Sequence, residues 1–483
     1  MTRPGLLPAL TLAALALTTA PNVVAAPEAG QRSQRMLDEL VALTGVPGMG
    51  AAVWQDGRIV WRGSAGWRDL AAGTPVDADT RFRLASVSKL VAVAAAARLA
   101  EDGKLDLDAP VASLWAGVDP DWPALSVRQL AAHTAGVPHY QGRDAERGGV
   151  AYATAREAAG LVNGRALLSA PGERYHYSSW GYTLMSAVIE ARAGQRFPEY
   201  VRRHVTRDLA IDVDGAYWND PRASRTYQFE EGRPTPAPPH DSSYTWAGGG
   251  YSGTPAAVAE FGGRMMSGDI VPVARFHAML VPARLNDGRE VRDDGYAIGL
   301  GWRTLTDQDG RRRAQHAGVT LGARSALVTW PDLPAAEQTA VSLLSNTLWV
   351  SSIEQSAAMI AAPHQATPAD MAPAECPVHA TRYEGRFRDQ PFAGAASFNV
   401  EDGTCIGTLA LSGEAKAYFD AFPQKDANHL RVVGLDIGTG LSRAALVTPT
   451  GLYDLRVQAD GSHRAPLGSA SEIQMTFSVS ERR

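Results

Sequence analysis

Strand-forming segments near the start of the chain and again far downstream enclose a long stretch of helical and loop pattern, and this arrangement narrows the fold more than any other feature. Residues 50–55 and 58–65 are strand-like runs joined by Asp56 and Gly57, a pair that favours a tight hairpin turn. From 108 to 292 the pattern is mostly helical and loop-rich, with helices expected near 127–133, 181–193, 197–209 and 255–267. Strand signals return at 299–305, 312–316, 325–330 and 339–344, with a turn at Asp309 and Gly310, before a closing helix over 350–362. Helices are also expected at 33–43 and, in an Ala-rich run, at 86–101. Strands supplied from both ends of one region must meet in a single sheet. The expected fold class is therefore α+β, a mixed antiparallel sheet flanked by helices with an inserted helical lobe.

The remainder divides by composition. Residues 1–26 read as a signal peptide: Arg3, an apolar stretch over 6–17 and small residues at Val24, Ala25 and Ala26. Export to the periplasm or beyond the cell is expected, with no stable membrane insertion after removal of that segment, since no later run is apolar enough to span a bilayer. Residues 27–362 form the main domain, 363–377 a linker rich in Pro and Ala, and 378–483 a small C-terminal β domain, barrel or sandwich, with strands near 396–400, 407–411, 429–433, 443–447 and 451–457. Cys376 and Cys405, both in that last quarter, are candidates for a structural disulfide in an exported chain, two isolated thiols being the alternative. A net charge of −5 gives no electrostatic case for nucleic acid. The 11 histidines show no metal-ligand spacing, so neither a metal nor a cofactor is expected.

Of 46 basic residues only four are lysines, Lys89, Lys104, Lys416 and Lys425. That scarcity gives meaning to the run 83–89, which places Ser86 at the start of the Ala-rich helix and Lys89 on the same helical face. On its own the pair is weak, because a capping serine and a solvated lysine produce the same pattern. Arginine, however, stays protonated in proteins, whereas a desolvated lysine can become a base. To act near neutral pH its amine must drop by about 3 pKa units, roughly 4 kcal/mol against the charged form.

Two further segments supply complementary chemistry. Tyr177, in the run 175–181, offers a phenol to relay a proton between nucleophile and leaving group, with Ser179 as a hydrogen-bonding neighbour that contacts substrate. His316 and Gly318 stand on a strand whose glycine admits a substrate backbone, and the Val319 N–H, with that of Ser86, can form an oxyanion hole. An ordinary interface tyrosine and a satisfied strand histidine are the plain alternatives for Tyr177 and His316.

Taken in order, the three elements resemble the serine β-lactamase and penicillin-binding protein family, which carries S-x-x-K, a Tyr or Ser motif, and a K-T-G or H-x-G strand. The resemblance covers roughly residues 36–362 and includes 133–140 (H-T-A-G-V-P-H-Y) and the glycine-rich 244–254. Within it, the segments at 103–108, 133–140, 177–184 and 244–250 are similar to the group of mitochondrial serine β-lactamase-like proteins and their bacterial relatives. It implies the β-lactamase/transpeptidase-like version of the expected fold and a serine hydrolase acting on a peptide or other small molecule, with peptidase, esterase or β-lactamase outcomes. D-amino or cell-wall peptides rank first. It also leaves open a homo-oligomer, or a non-catalytic sensing or assembly protein that keeps the fold. Two departures from class C β-lactamases, Ser179 for Asn and His316 for Lys, remove groups that hold a β-lactam's amide and carboxylate. The Asp309–Arg313 run offers a replacement cation, against its reading as a solvated hairpin tip.

Overall fold

The computed structural model describes residues 26–213, 217, 219–366, 371–422, 428–436, 438–467 and 471–479. The expected signal segment lies outside these residues apart from its last position, as does part of the expected linker. Among the described residues no helix is long and apolar enough to cross a membrane.

Strands from both ends do meet in one sheet. The hairpin of Gly48–Gln55 and Arg58–Asp69 is stitched to Thr339–Ser345, Met49 opposite Ser345 and Gln55 opposite Thr339. Ala323–Trp330, Arg312–Thr320, Arg303–Thr306 and two short strands continue it, and every pairing is antiparallel. Because side chains alternate along a strand, the sheet presents two apolar faces. Val53, Val328 and Val341 pack on the helices Ala26–Thr44 and Ile353–Ala361, while Trp54, Leu327 and Leu344 face the inserted helices.

The lobe is organised by the helix Ser88–Glu101, whose residues from Ser88 to Ala97 are all buried. Local departures from expectation have local causes. The strand expected over 299–305 is reduced to Arg303–Thr306, because Gly301 adopts φ +77° and turns the chain. The helix expected over 197–209 is an α turn, Phe197–Val201, running into a π turn, Arg202–Thr206, ended by Arg207 at φ +46°.

The C-terminal unit is an eight-stranded closed barrel, sealed by pairing Arg382–Phe387 with Glu472–Ser478. Closure removes the unpaired edges a sandwich would leave. Tyr383, Phe392, Leu446 and Met475 are among the side chains that fill it. Cys376 and Cys405 are joined, with Cα atoms 5.6 Å apart. The barrel is seated on the first domain: Ile406, Val433 and Val447 share a core with Leu37 and Ile360, and Arg431 pairs with Glu39 at 3.0 Å. Here the solvated-tip reading of Asp309–Arg313 is overturned. The barrel covers that hairpin, Asp309 pairs with Arg456, and Arg313 is 7% exposed.

Candidate active site

The segment around Ser86 is a tight turn rather than the first turn of an α-helix. Leu84 N–H donates to the Tyr251 carbonyl, Ala85–Val87 form a 3₁₀ turn, and the α-helix begins at Ser88. Ala85 has φ +45°, a left-handed conformation that costs a non-glycine residue energy and persists only when its surroundings hold it. Neighbours on both sides do so. Gly318 lies against the Leu84 carbonyl, and Ser325 Oγ donates to that same oxygen at 2.5 Å.

Lys89 projects from the first turn of this buried helix and is itself fully buried. Its Nζ donates to Ser86 Oγ at 3.1 Å, Ser179 Oγ at 2.9 Å and the Gly248 carbonyl at 2.6 Å. Among the described residues no carboxylate pairs with it. Burial lowers its pKa, the Tyr177 phenol opposes that shift, and the Arg303 guanidinium adds to it. Tyr177 donates its hydroxyl to Ser86 Oγ at 2.8 Å, and its ring lies 4.8 Å from Nζ. Serine, lysine and phenol are therefore one connected group.

Ser179 sits where the resemblance put it, but its oxygen is occupied by Lys89. It stands in the first turn of the helix Ser179–Ala193, which Ser178 caps through Gly181 N–H at 2.9 Å. His316 is buried on the strand Arg312–Thr320, its ring 6.3 Å from that of Tyr177. Its Nδ1 donates to the Ala317 carbonyl at 2.6 Å, so the neutral ring presents Nε2 as an acceptor. The lack of a side chain at Gly318 serves the chain's own packing. A Cβ there would lie 2.3 Å from the Leu84 oxygen and 2.2 Å from Ser325 Oγ, so the space is taken by the chain's own nucleophile turn. Val319, the next residue, is half exposed on the same strand, beside that turn.

Several contributors are not individually legible in the sequence. Ser178 N–H donates to His133 Nδ1 at 3.0 Å, Ser179 N–H to His139 Nδ1 at 3.2 Å, and Ser178 Oγ to the Pro138 carbonyl at 2.8 Å, so the 133–140 segment is a cradle for Tyr177–Ser179. Gly248 can offer its carbonyl to Lys89 because a Cβ would lie 2.4 Å from Thr245 Oγ1 and 3.0 Å from the Ser179 carbonyl. Arg303 places its guanidinium 5.6 Å from the centre of the Tyr177 ring. The motif similarity of 133–140 and 244–254 was the available signal for the first two; a lone strand arginine gives none.

The histidines of the cradle are held neutral. Burial, reinforced by Lys89, pushes His139 down to about 4 and His133 well below its ordinary 6.5; burial, Arg303 and Lys89 push His316 down similarly. A ring whose folded pKa is below its unfolded value contributes full stability above pH 6.5 and loses it as pH falls through the folded value. Melting temperature will therefore fall as pH is lowered from above 6.5 to about 4, and the fall will be smaller in His139→Asn, which keeps an acceptor for Ser179 N–H. Identical falls in the two proteins would remove this ring from the account.

With that geometry in view, comparison with known proteins is consistent with it. A family model described as beta-lactamase matches residues 34–361. The mitochondrial serine beta-lactamase-like protein LACTB of Homo sapiens is 24% identical over 398 residues, covering 62% of this chain and 72% of that protein. Esterase EstB of Burkholderia gladioli is 28% identical over 330 residues, covering 60% and 83%. Among solved structures, the octameric penicillin-binding protein homologue from Pyrococcus abyssi aligns with a TM-score of 0.58 at 18% identity, over 92% of this chain and 99% of that one. That extent carries the likeness of fold into the barrel. The chain is a hydrolase of the beta-lactamase family.

Proposed function

We propose that the chain is an exported serine hydrolase that forms an acyl-enzyme at Ser86 on peptide, ester or amide substrates, D-amino or cell-wall peptides foremost. The observation that carries this reading is the state of Lys89: a fully buried amine in hydrogen-bond contact with Ser86 Oγ. Once deprotonated, the amine has a lone pair for the Ser86 proton while still donating to Ser179 and Gly248. The phenol of Tyr177, on the other side of Ser86 Oγ, stabilises the oxygen as it attacks. The tetrahedral intermediate collapses when Tyr177 and Lys89 return a proton to the leaving nitrogen or oxygen, and water then releases the acyl group. The backbone N–H groups of Ser86 and Val319 are the donors assigned to the developing oxyanion.

The substrate ranking draws support from the solved relatives. One is described as a D-stereospecific amidohydrolase from Streptomyces, with a TM-score of 0.54 at 21% identity. Export rests on the pattern of residues 1–26. The test is hydrolysis by the purified chain of p-nitrophenyl esters, D-alanyl peptides and a chromogenic cephalosporin, each with the Ser86→Ala protein as its blank. D-alanyl peptides are expected to turn over fastest. A covalent adduct that forms with all three and never turns over would replace the hydrolase with a sensing protein.

A further inference from the structure

Between the sheet and the barrel lies a cavity of about 590 Å³, within the range of small-molecule binding sites. Arg303, Arg313 and Gln315 line it from the sheet, Glu354 and Gln355 from the helix Ile353–Ala361, Gln365 from just beyond that helix, and Tyr453 from the barrel. Arg303 and Gln315 are register partners on neighbouring strands, and Arg313 is two residues before Gln315 on the same face. His316 is on the other face, its ring 6.3 Å from that of Tyr177.

Most charges around this cavity are satisfied within the protein. Arg443 and Arg456 share Asp454, each at 2.8 Å or less, and Arg311 pairs with Asp309 at 2.6 Å. The sheet-side groups differ. Among the described residues no carboxylate pairs with Arg313, which is 7% exposed; it donates only to Gln355 Oε1 at 3.3 Å, and its Nε has no acceptor. Gln315 is completely buried, and among the described residues neither its Oε1 nor its Nε2 has a partner; the same holds for Nε2 of Gln365, 5% exposed. Leaving buried polar groups unpaired is costly, so a set of them on residues that line one cavity calls for an occupant.

The donors and the acceptor define its chemistry. A guanidinium that no carboxylate hydrogen-bonds, with Asp307 and Glu354 acting on it only through space, together with two amide N–H groups suits a further carboxylate. The free Oε1 of Gln315 requires an N–H close to that carboxylate, which excludes a plain phosphate or acetate as the full complement. We propose that this cavity is a binding site for the C-terminal residue of a peptide or other N-acylated amino acid, its carboxylate on Arg313 and its N–H on Gln315. The site goes beyond the hydrolase reading and does not depend on turnover. Arg303 joins the two places, since it lines the cavity and stacks on Tyr177.

Calorimetric titration of the full Ser86→Ala chain tests this without hydrolysis. The probes are N-acetyl-alanyl-alanine, its C-terminal amide, free alanine and inorganic phosphate. Saturable binding of the acid is expected, with the amide, alanine and phosphate each weaker by about tenfold or more. Arg313→Gln and Gln315→Leu will each raise the Kd of the acid by about tenfold or more. Gln315→Leu will also raise the melting temperature, because it removes two unpaired buried polar atoms at nearly constant volume. A merely structural glutamine would lower it, so this variant decides the matter even if Arg313→Gln misfolds. Absence of saturable binding at millimolar acid, equal affinity for acid and amide, tighter binding of alanine or phosphate, or an unchanged Kd in Gln315→Leu would each overturn the proposal.

Discussion

Lys89→Arg will keep its positive charge and lose roughly 10²- to 10⁴-fold in kcat/KM, the range for removal of a general base. Ser86→Ala will lose more, roughly 10⁴- to 10⁶-fold, together with all labelling by a fluorophosphonate probe. The comparison isolates deprotonation. A guanidinium can still donate to Ser179 Oγ and the Gly248 carbonyl, but it has no lone pair to accept the serine proton. The wild-type pH profile gives an independent readout that a packing defect would not reproduce. Burial and Arg303 lower the Lys89 pKa from its ordinary 10.5, so the neutral amine becomes available at lower pH. Rate will therefore rise with pH along an acid limb whose midpoint lies below 10.5, and Arg303→Gln, which removes a cation, will move that midpoint upward. Wild-type rates in Lys89→Arg, with the fold intact by circular dichroism, would exclude the amine as the base.

The serine and lysine could be read from sequence because their relation is local: a 3₁₀ turn that runs straight into a helix still keeps residues three apart on one side. Rarity of lysine added chemical content to that spacing. The long core strands were legible by their apolar runs, which is why 325–330 and 339–344 match the observed Ala323–Trp330 and Thr339–Ser345 closely. Three barrel strands were not read. Arg382–Phe387 buries only Tyr383 and Phe387, and its other side chains, mostly polar, hide the alternation. The cradle histidines lie 45 and 40 residues before the residues they hold. Arg313 was misplaced for a related reason, since the surface that buries its hairpin belongs to Arg443 and Arg456, far downstream. Local polarity describes a turn in isolation, and a second domain can reverse its exposure.

Gly318→Ala tests how tightly the nucleophile turn is held, and about 100-fold lower kcat/KM is expected, the scale associated with an ångström of misplacement. The added methyl group would meet Ser325 Oγ at 2.2 Å, the Leu84 carbonyl oxygen at 2.3 Å and Ala85 Cβ at 3.0 Å. Of these only the serine can rotate away, and doing so gives up its hydrogen bond to the same carbonyl. The Leu84 oxygen is backbone, one residue from the strained Ala85, so relief has to come from moving the chain that carries Ser86. The double variant Gly318→Ala with Ser325→Gly separates the two contacts. It removes the side-chain clash and leaves the backbone one, so the rate will stay low while the melting temperature remains measurable and cooperative. Recovery of wild-type kcat/KM in the double variant would place the obstruction at Ser325 alone and show that the position of Ser86 tolerates a displaced Leu84.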